Sequence, residues 1–275
     1  TGTRGIPGIQ GGVETHCQEL YPLIADEQHE IIVIRRPNYA VERSVQIYKQ
    51  VAIKDISAPR SRHLEAFVHT FKAVIYARKV KADIVHIHAV GPALMTPVAR
   101  LLGMKVVITH HGPDYDRDKW GRFAKWILCM GERAGVYYAN HIIVISEHIR
   151  QIIYHQYSAK RNVTLIHNGV NVPTRVIGTE YLESLDLTEY GYVLAVGRFV
   201  KEKNLDQLVE AFTQLSSPSM KLVIAGDADF QDEYAQKLKE VCWKQKNICL
   251  TGFIKGDKLA QLYTCLLYTS PSPRD

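Results

Sequence analysis

Short apolar runs alternate with longer amphipathic segments along most of this chain. Residues 30–34, 83–87, 105–109, 141–145 and 163–166 are brief runs rich in Val and Ile, the composition of buried strands. Residues 13–25, 63–80, 92–102, 121–138 and 147–157 lie between them, carry apolar side chains three and four apart, and are expected to be helices. Such alternation predicts the α/β class with a doubly wound parallel sheet. A polar, irregular stretch then runs from Asn168-Gly169-Val170 through Thr188 and contains Pro173 and Gly178. Beyond it, 192–196, 221–225 and 248–250 read as strands, and 204–215 as a helix with Leu205, Leu208, Val209 and Phe212 on one face. The expectation is a boundary near Pro173 and two α/β domains in tandem, 1–173 and 174–265.

A chain of 275 residues exceeds one typical domain, which agrees with that division. The net charge of +6 comes from scattered Lys and Arg, compatible with anionic substrates or an anionic membrane surface. Nucleic-acid binding would want a concentrated basic face with exposed aromatics, and none is found. Cys17, Cys129, Cys242, Cys249 and Cys265 are odd in number and show no CxxC spacing, as in a reduced cytoplasmic protein. No apolar run suffices to span a bilayer and no secretory signal opens the chain, so contact with the inner face of the membrane would be peripheral. The chain opens on a glycine-rich turn with no strand before it. Residues 266–275 lose all periodicity and end in turn residues, so the expectation is a fragment with a non-native tail.

Candidate chemistry collects where strands end, the ligand edge of an open α/β sheet. The tract Gly197-Arg198-Phe199-Val200-Lys201-Glu202-Lys203-Asn204 places Arg198 and Lys203 between a strand and a helix start, a setting suited to a diphosphate. A solvated basic loop is the plain alternative. Gly11-Gly12 precede a helix and let a backbone approach a ligand, although two glycines alone suit any tight turn. Thr109-His110-His111-Gly112-Pro113-Asp114-Tyr115-Asp116-Arg117 follows a strand. His111 could orient a hydroxyl or steady developing charge, and Asp114, Asp116 and Arg117 could bind sugar hydroxyls. His86 and His88 share a strand face but lack a third ligand, so buried histidines are expected and not zinc. Asn168-Gly169 is either a simple turn or part of a cleft wall. Gly226-Asp227 and Gly252-Phe253 are candidate backbone contacts to a nucleoside. Residues 118–138 set Trp120, Phe123 and Trp126 beside Lys119, Arg122 and Lys125; a core-packed helix with a solvated basic edge is expected over a membrane-facing one.

The ordered set GTRGIP from Gly2, Gly11-Gly12-Val13-Glu14-Thr15, Thr109-His110-His111-Gly112, Asn168-Gly169-Val170, Gly197-Arg198-Phe199 with Lys203-Asn204, and Ala225-Gly226-Asp227 resembles the retaining glycosyltransferases of family 4. The resemblance covers residues 2–264, and its opening motif and Asp114–Arg117 tract look like bacterial enzymes that build cell-surface polysaccharides. It implies the GT-B fold, two Rossmann-like domains facing each other across a cleft, here with an incomplete C-terminal one. It implies that Arg198 and Lys203 clamp the diphosphate of a nucleotide-sugar, with Gly11 and Gly12 approaching it from the other domain. It also implies His111 as the active-site histidine, Gly226, Gly252 and Phe253 at the nucleobase, Arg4, Asp114 and Arg117 toward a saccharide or lipid-linked acceptor, and Asn168 and Gly169 between the domains. No metal or other cofactor is implied, and retention would need no protein nucleophile. The family's glutamate pair, expected beyond Cys265, has no counterpart in place; Glu202 with Glu210 and Glu19 with Glu27 share its spacing only. A non-catalytic nucleotide-sugar-binding protein or inactive fragment is therefore the alternative expectation. A dinucleotide oxidoreductase is disfavoured by the lack of GxGxxG spacing in the opening loop.

Overall fold

Every expected strand forms, and the two densest apolar runs become the centres of two sheets. The computed structural model describes residues 1–59, 64–116, 120–157, 162–169, 178–215, 219–228, 232–266 and 268–269. The chain divides into two units, Thr1–Asn171 and Val172–Asp275. The expected boundary residue, Pro173, lies outside the described residues.

The first unit contains α1 (Gly12–Ile24), β1 (Ile32–Arg35), β2 (Ile47–Tyr48), β3 (Val51–Asp55), α2 (Glu65–Lys79), β4 (Ile84–His88), α3 (Thr96–Leu101), β5 (Lys105–His110), α4 (Arg122–Tyr138), β6 (His141–Val144), α5 (Glu147–Tyr157) and β7 (Val163–Leu165). Strands β4, β5, β6 and β7 form a parallel sheet in that order, and β1, β3 and β2 form a second sheet with β2 antiparallel. The opening residues touch both sheets: the Thr1 carbonyl accepts from the His88 amide at 3.0 Å, and the Arg4 carbonyl from the Arg36 amide at 2.9 Å. Val85, Ile87, Val106 and Ile108 build the core with Val74 of α2 and Ala99 of α3. Helix α4 lies very close to this sheet, because a side chain on Gly131 would overlap the Val90 carbonyl and one on Gly135 would meet Ile108 at 2.8 Å.

The second unit contains α6 (Glu180–Ser184), β8 (Tyr192–Val196), α7 (Leu205–Thr213), β9 (Lys221–Ala225), α8 (Glu233–Trp243), β10 (Ile248–Gly252), α9 (Asp257–Thr264) and β11 (Tyr268–Thr269). Its strands are all parallel, in the order β10-β9-β8-β11. Central β9 is apolar from Leu222 to Ala225 because both faces are covered: Leu222 and Ile224 pack with α7 and α8, while Val223 and Ala225 pack with α6 and α9. Of the expected tail, Tyr268 and Thr269 pair with Val193 and Leu194, and 267 and 270–275 lie outside the described residues.

Candidate functional site

In the first unit the carboxyl ends of β4 and β5 carry a chain of hydrogen bonds through buried rings. His86 and His88 alternate with Val85 and Ile87, so both point to one face, and their centroids are 4.3 Å apart. Tyr21, on the inner face of α1, inserts its hydroxyl between them, 3.2 Å from His86 Nδ1 and 2.6 Å from His88 Nε2. The chain continues from His86 Nε2 to Thr109 Oγ1 at 2.7 Å and from His88 Nδ1 to His111 Nε2 at 3.0 Å. His16 closes the cluster edge-on to the His111 ring at 5.5 Å. Burial is the main force on all three histidines: it pushes His86 and His111 down to about 3 and His88 well below its ordinary value. They are therefore neutral near pH 7, each with one ring proton. Each neutral ring donates through one nitrogen and accepts through the other, so the direction of the His88–His111 bond decides whether the second nitrogen of His111 is a donor or an acceptor. His111 thus brings a defined donor or acceptor to the site without charge.

The loop beyond β5 is held by Glu132, which is 2 % exposed in the middle of α4. The Gly112 amide donates to His110 Nδ1 at 3.2 Å, so a ring proton sits on Nε2 and is donated to Glu132 Oε2 at 2.8 Å. Tyr157 of α5 and Tyr115 donate their hydroxyls to Glu132 Oε1 at 2.6 and 3.3 Å. Burial opposes the carboxylate, but the donors from His110, Tyr157 and Tyr115 outweigh it and hold its pKa below the ordinary range. One carboxylate thereby fixes His110, the left-handed Gly112 and the single-turn helix Asp114–Asp116 around His111. Sequence reasoning missed Tyr21, Glu132 and Tyr157. Their partners lie 67, 22 and 25 positions away, and the only local signal was the placement of Cys17 and Tyr21 one turn apart on an apolar face.

Gly11 precedes α1 with φ +148°, a conformation that favours glycine, and Gly12 begins the helix, exposed to solvent. The Arg4 amide donates to Glu14 Oε1 at 2.9 Å, and its guanidinium lies 5.0 Å over the Tyr39 ring. Through α1 and its His16, the structure brings Arg4, Gly11, Gly12, His111 and Asp114 to one edge of the first unit. Asn168 and Gly169 are exposed beyond edge strand β7 and do not join that cluster. Arg117 lies outside the described residues. His86 and His88 are engaged in hydrogen bonds, and the described residues hold no group of three His, Cys, Asp or Glu side chains placed to share a metal.

The second unit gathers its candidates at the carboxyl edge of β8, β9 and β10. Gly226 has φ +143°, and any side chain there would overlap the Gly197 carbonyl, so the turns after β8 and β9 lie backbone against backbone. The Gly226 amide donates to the Gly252 carbonyl at 2.9 Å, which adds the turn after β10, where Phe253 is exposed. Arg198 follows Gly197, and Lys203 ends the single-turn helix Lys201–Lys203 before α7, its methylenes running beside Gly197. Both cations are half-buried. Arg198, Lys203, Gly226, Gly252 and Phe253 thus lie along one edge, as the strand-end reading predicts.

Helix α4 departs from the expectation of core-packed aromatics. Phe123 and Trp126 are 73 % and 59 % exposed and stack on each other at 6.0 Å, near Arg122, Lys125 and Arg133. The buried stripe is instead made of small residues, Gly131, Ala134 and Gly135, with Glu132 and Val136.

Two α/β units in tandem, each with its polar residues at the carboxyl edge of a parallel sheet, match the GT-B fold. The chain belongs to Glycosyltransferase Family 4, whose sequence profile matches residues 10–173; the profile of Glycosyl transferases group 1 matches residues 180–273. Among solved structures, it is similar to Anabaena Alr3699/HepE in complex with UDP-glucose, with a TM-score of 0.73 and 16 % identity over 97 % of this chain and 73 % of that one. Sucrose-phosphate synthase from Thermosynechococcus elongatus gives a TM-score of 0.73 and 19 % identity over 94 % and 69 %. The alpha-1,3/1,6-mannosyltransferase ALG2 of Yarrowia lipolytica is 29 % identical over 136 residues, which is 45 % of this chain and 28 % of the length of that relative. No described helix is long and apolar enough to cross a membrane.

Proposed function

We propose that this chain transfers a sugar from a nucleotide-sugar donor to a saccharide or lipid-linked acceptor, with retention of anomeric configuration, in the synthesis of a cell-surface polysaccharide. The observation that carries the reading is the Gly197-Arg198 turn lying on Gly226, with Lys203 alongside, at the sheet edge of a unit that matches a glycosyltransferase profile. UDP-glucose bound to HepE and the mannosyl transfer named for ALG2 support a nucleotide-sugar donor.

Cleavage of a glycosyl phosphate leaves negative charge on the nucleotide and an oxocarbenium-like sugar. Arg198 and Lys203, half-buried at that edge, stabilise that charge as it develops. Gly226, Gly252 and Phe253 hold the nucleobase, largely through main chain. Neutral His111 orients a sugar hydroxyl by a hydrogen bond. Arg4, Asp114 and Arg117 hold the acceptor, and the Gly11-Gly12 backbone contributes to donor binding. Attack on the face the leaving group departs from, with the phosphate taking the acceptor proton, requires neither a protein nucleophile nor a metal. The enzyme works in the cytoplasm, at the inner face of the membrane.

The test is a thermal-shift screen against UDP-, GDP-, dTDP- and ADP-sugars, followed by NMR of the product's anomeric proton. Arg198→Ala and Lys203→Ala are expected to abolish the donor-dependent shift while leaving the unliganded melting temperature in place. A full shift in both variants removes the clamp from the mechanism, and an inverted anomer overturns retention.

A further inference from the structure

The turns after β8 and β9 are joined by more than the close approach of their glycines. The Gly197 amide donates to the Ala225 carbonyl at 3.0 Å, and the Phe199 amide to the Asp227 carbonyl at 3.1 Å. Arg198 therefore lies between two backbone rungs, both held by the end of β9 and the turn that follows it. The second rung rests on Asp227, whose Oδ1 accepts from the Ala228 amide at 2.7 Å. That same oxygen meets Lys239 Nζ of α8 at 2.7 Å. The Lys239 ammonium also stands 5.8 Å over the ring of Phe199, which is 1 % exposed. One side chain thus reaches from α8 to both turns.

This lysine is unlike its neighbour on the same helix. Lys237 pairs with Glu233 one turn away, and both side chains are largely exposed, an arrangement that contributes little. The Lys239 side chain is 19 % exposed and that of Asp227 37 %. An ammonium drawn so far out of water needs an anionic partner, and the attraction is stronger there than at the open surface. Charge gives the pair a second consequence. Asp227 directly follows Gly226, so an uncompensated carboxylate at this edge would repel the diphosphate that Arg198 and Lys203 attract. Pairing with Lys239 keeps the hydrogen bonds of Asp227 and cancels its charge.

We propose that Lys239 is a positioning residue for the donor diphosphate: through Asp227 it fixes the turn that carries Arg198, and it offsets a negative charge beside the clamp. That the diphosphate belongs to a sugar donor rests on the glycosyl transfer proposed above; the action of Lys239 on a diphosphate does not.

Titrations followed by thermal unfolding at constant ionic strength test this role, with inorganic pyrophosphate, with UDP, GDP, dTDP and ADP, and with the matching nucleosides. Lys239→Met is expected to weaken diphosphate binding by roughly three- to tenfold and to leave nucleoside binding as in the parent. Lys239→Arg keeps the parent's affinity. Asp227→Asn with Lys239→Met removes both charges and recovers most of the loss, which a purely structural pair would not do. Lys239→Gln keeps a donor for Asp227 without the charge, falls between parent and Lys239→Met, and serves in its place if that variant does not fold. Unchanged diphosphate affinity in both Lys239→Met and Lys239→Gln, nucleosides weakened as much as diphosphates, or a double variant no better than Lys239→Met overturns the role. Any of these in a protein that consumes a nucleotide-sugar defeats the role alone, and a parent that binds no diphosphate defeats both the role and the clamp. A Lys239-dependent diphosphate gain in a protein that consumes no nucleotide-sugar sustains the role and defeats the transfer reading alone.

Discussion

At the scale of single residues, the chemistry of the first unit depends on partners that never adjoin in sequence. His111 is supported by His88, which is supported by Tyr21. His111→Ala is therefore expected to spare donor binding and depress turnover. His88→Asn should lower kcat more than it raises KM, because it leaves the reacting groups in place and removes what orients one of them. Tyr21→Phe should act in the same direction with smaller effect, and steady-state kinetics on all three variants decides. Normal turnover in His88→Asn would disconnect the buried chain from His111. Glu132→Ala strands three donors and is expected to cost about 3–5 kcal/mol, read from urea unfolding. The strand-end candidates were visible in sequence because a motif and an apolar run mark them. Tyr21 and Glu132 were invisible because burial and pairing across 22 to 67 positions leave no local trace.

At the scale of elements, period and length were enough for strands with both faces covered and for long helices, which is why β4, β5, β9 and α4 stand close to their expected bounds. The β2–β3 hairpin escaped notice for a definite reason. Its turn is Lys49-Gln50 with φ of 44° and 70°, a left-handed pair that Asn-Gly usually announces. Helix α4 was assigned correctly but faced wrongly, because its aromatics suggested a core that its small residues supply. With Phe123 and Trp126 outward beside three basic side chains, Phe123→Ser with Trp126→Ser is expected to reduce sedimentation with anionic vesicles and to leave donor-dependent thermal shifts unchanged. Equal sedimentation of variant and parent would exclude that face from membrane contact.

At the scale of the whole molecule, neutral buried histidines make stability depend on pH. An unfolded histidine titrates near 6.5, whereas His86 and His111 stay unprotonated down to about 3. Between those values the unfolded chain binds more protons, so the contribution is complete above 6.5 and is lost as pH falls toward 3. Each such residue adds a slope of up to about 1.4 kcal/mol per pH unit. Urea midpoints measured from pH 6.5 to 5, above most carboxylate titration, are expected to fall steeply, and less so in His88→Asn. A flat profile would contradict the neutral cluster.

The single carboxylate of Glu132 joins the end of β5, the turn at 114–116 and α5. Segments tied to one knot come undone together. Amide deuteration of Gly112, Asp116 and the α5 backbone should then proceed at a shared rate, and Glu132→Gln should accelerate all of them by a similar factor while β4 and α2 keep their own pace.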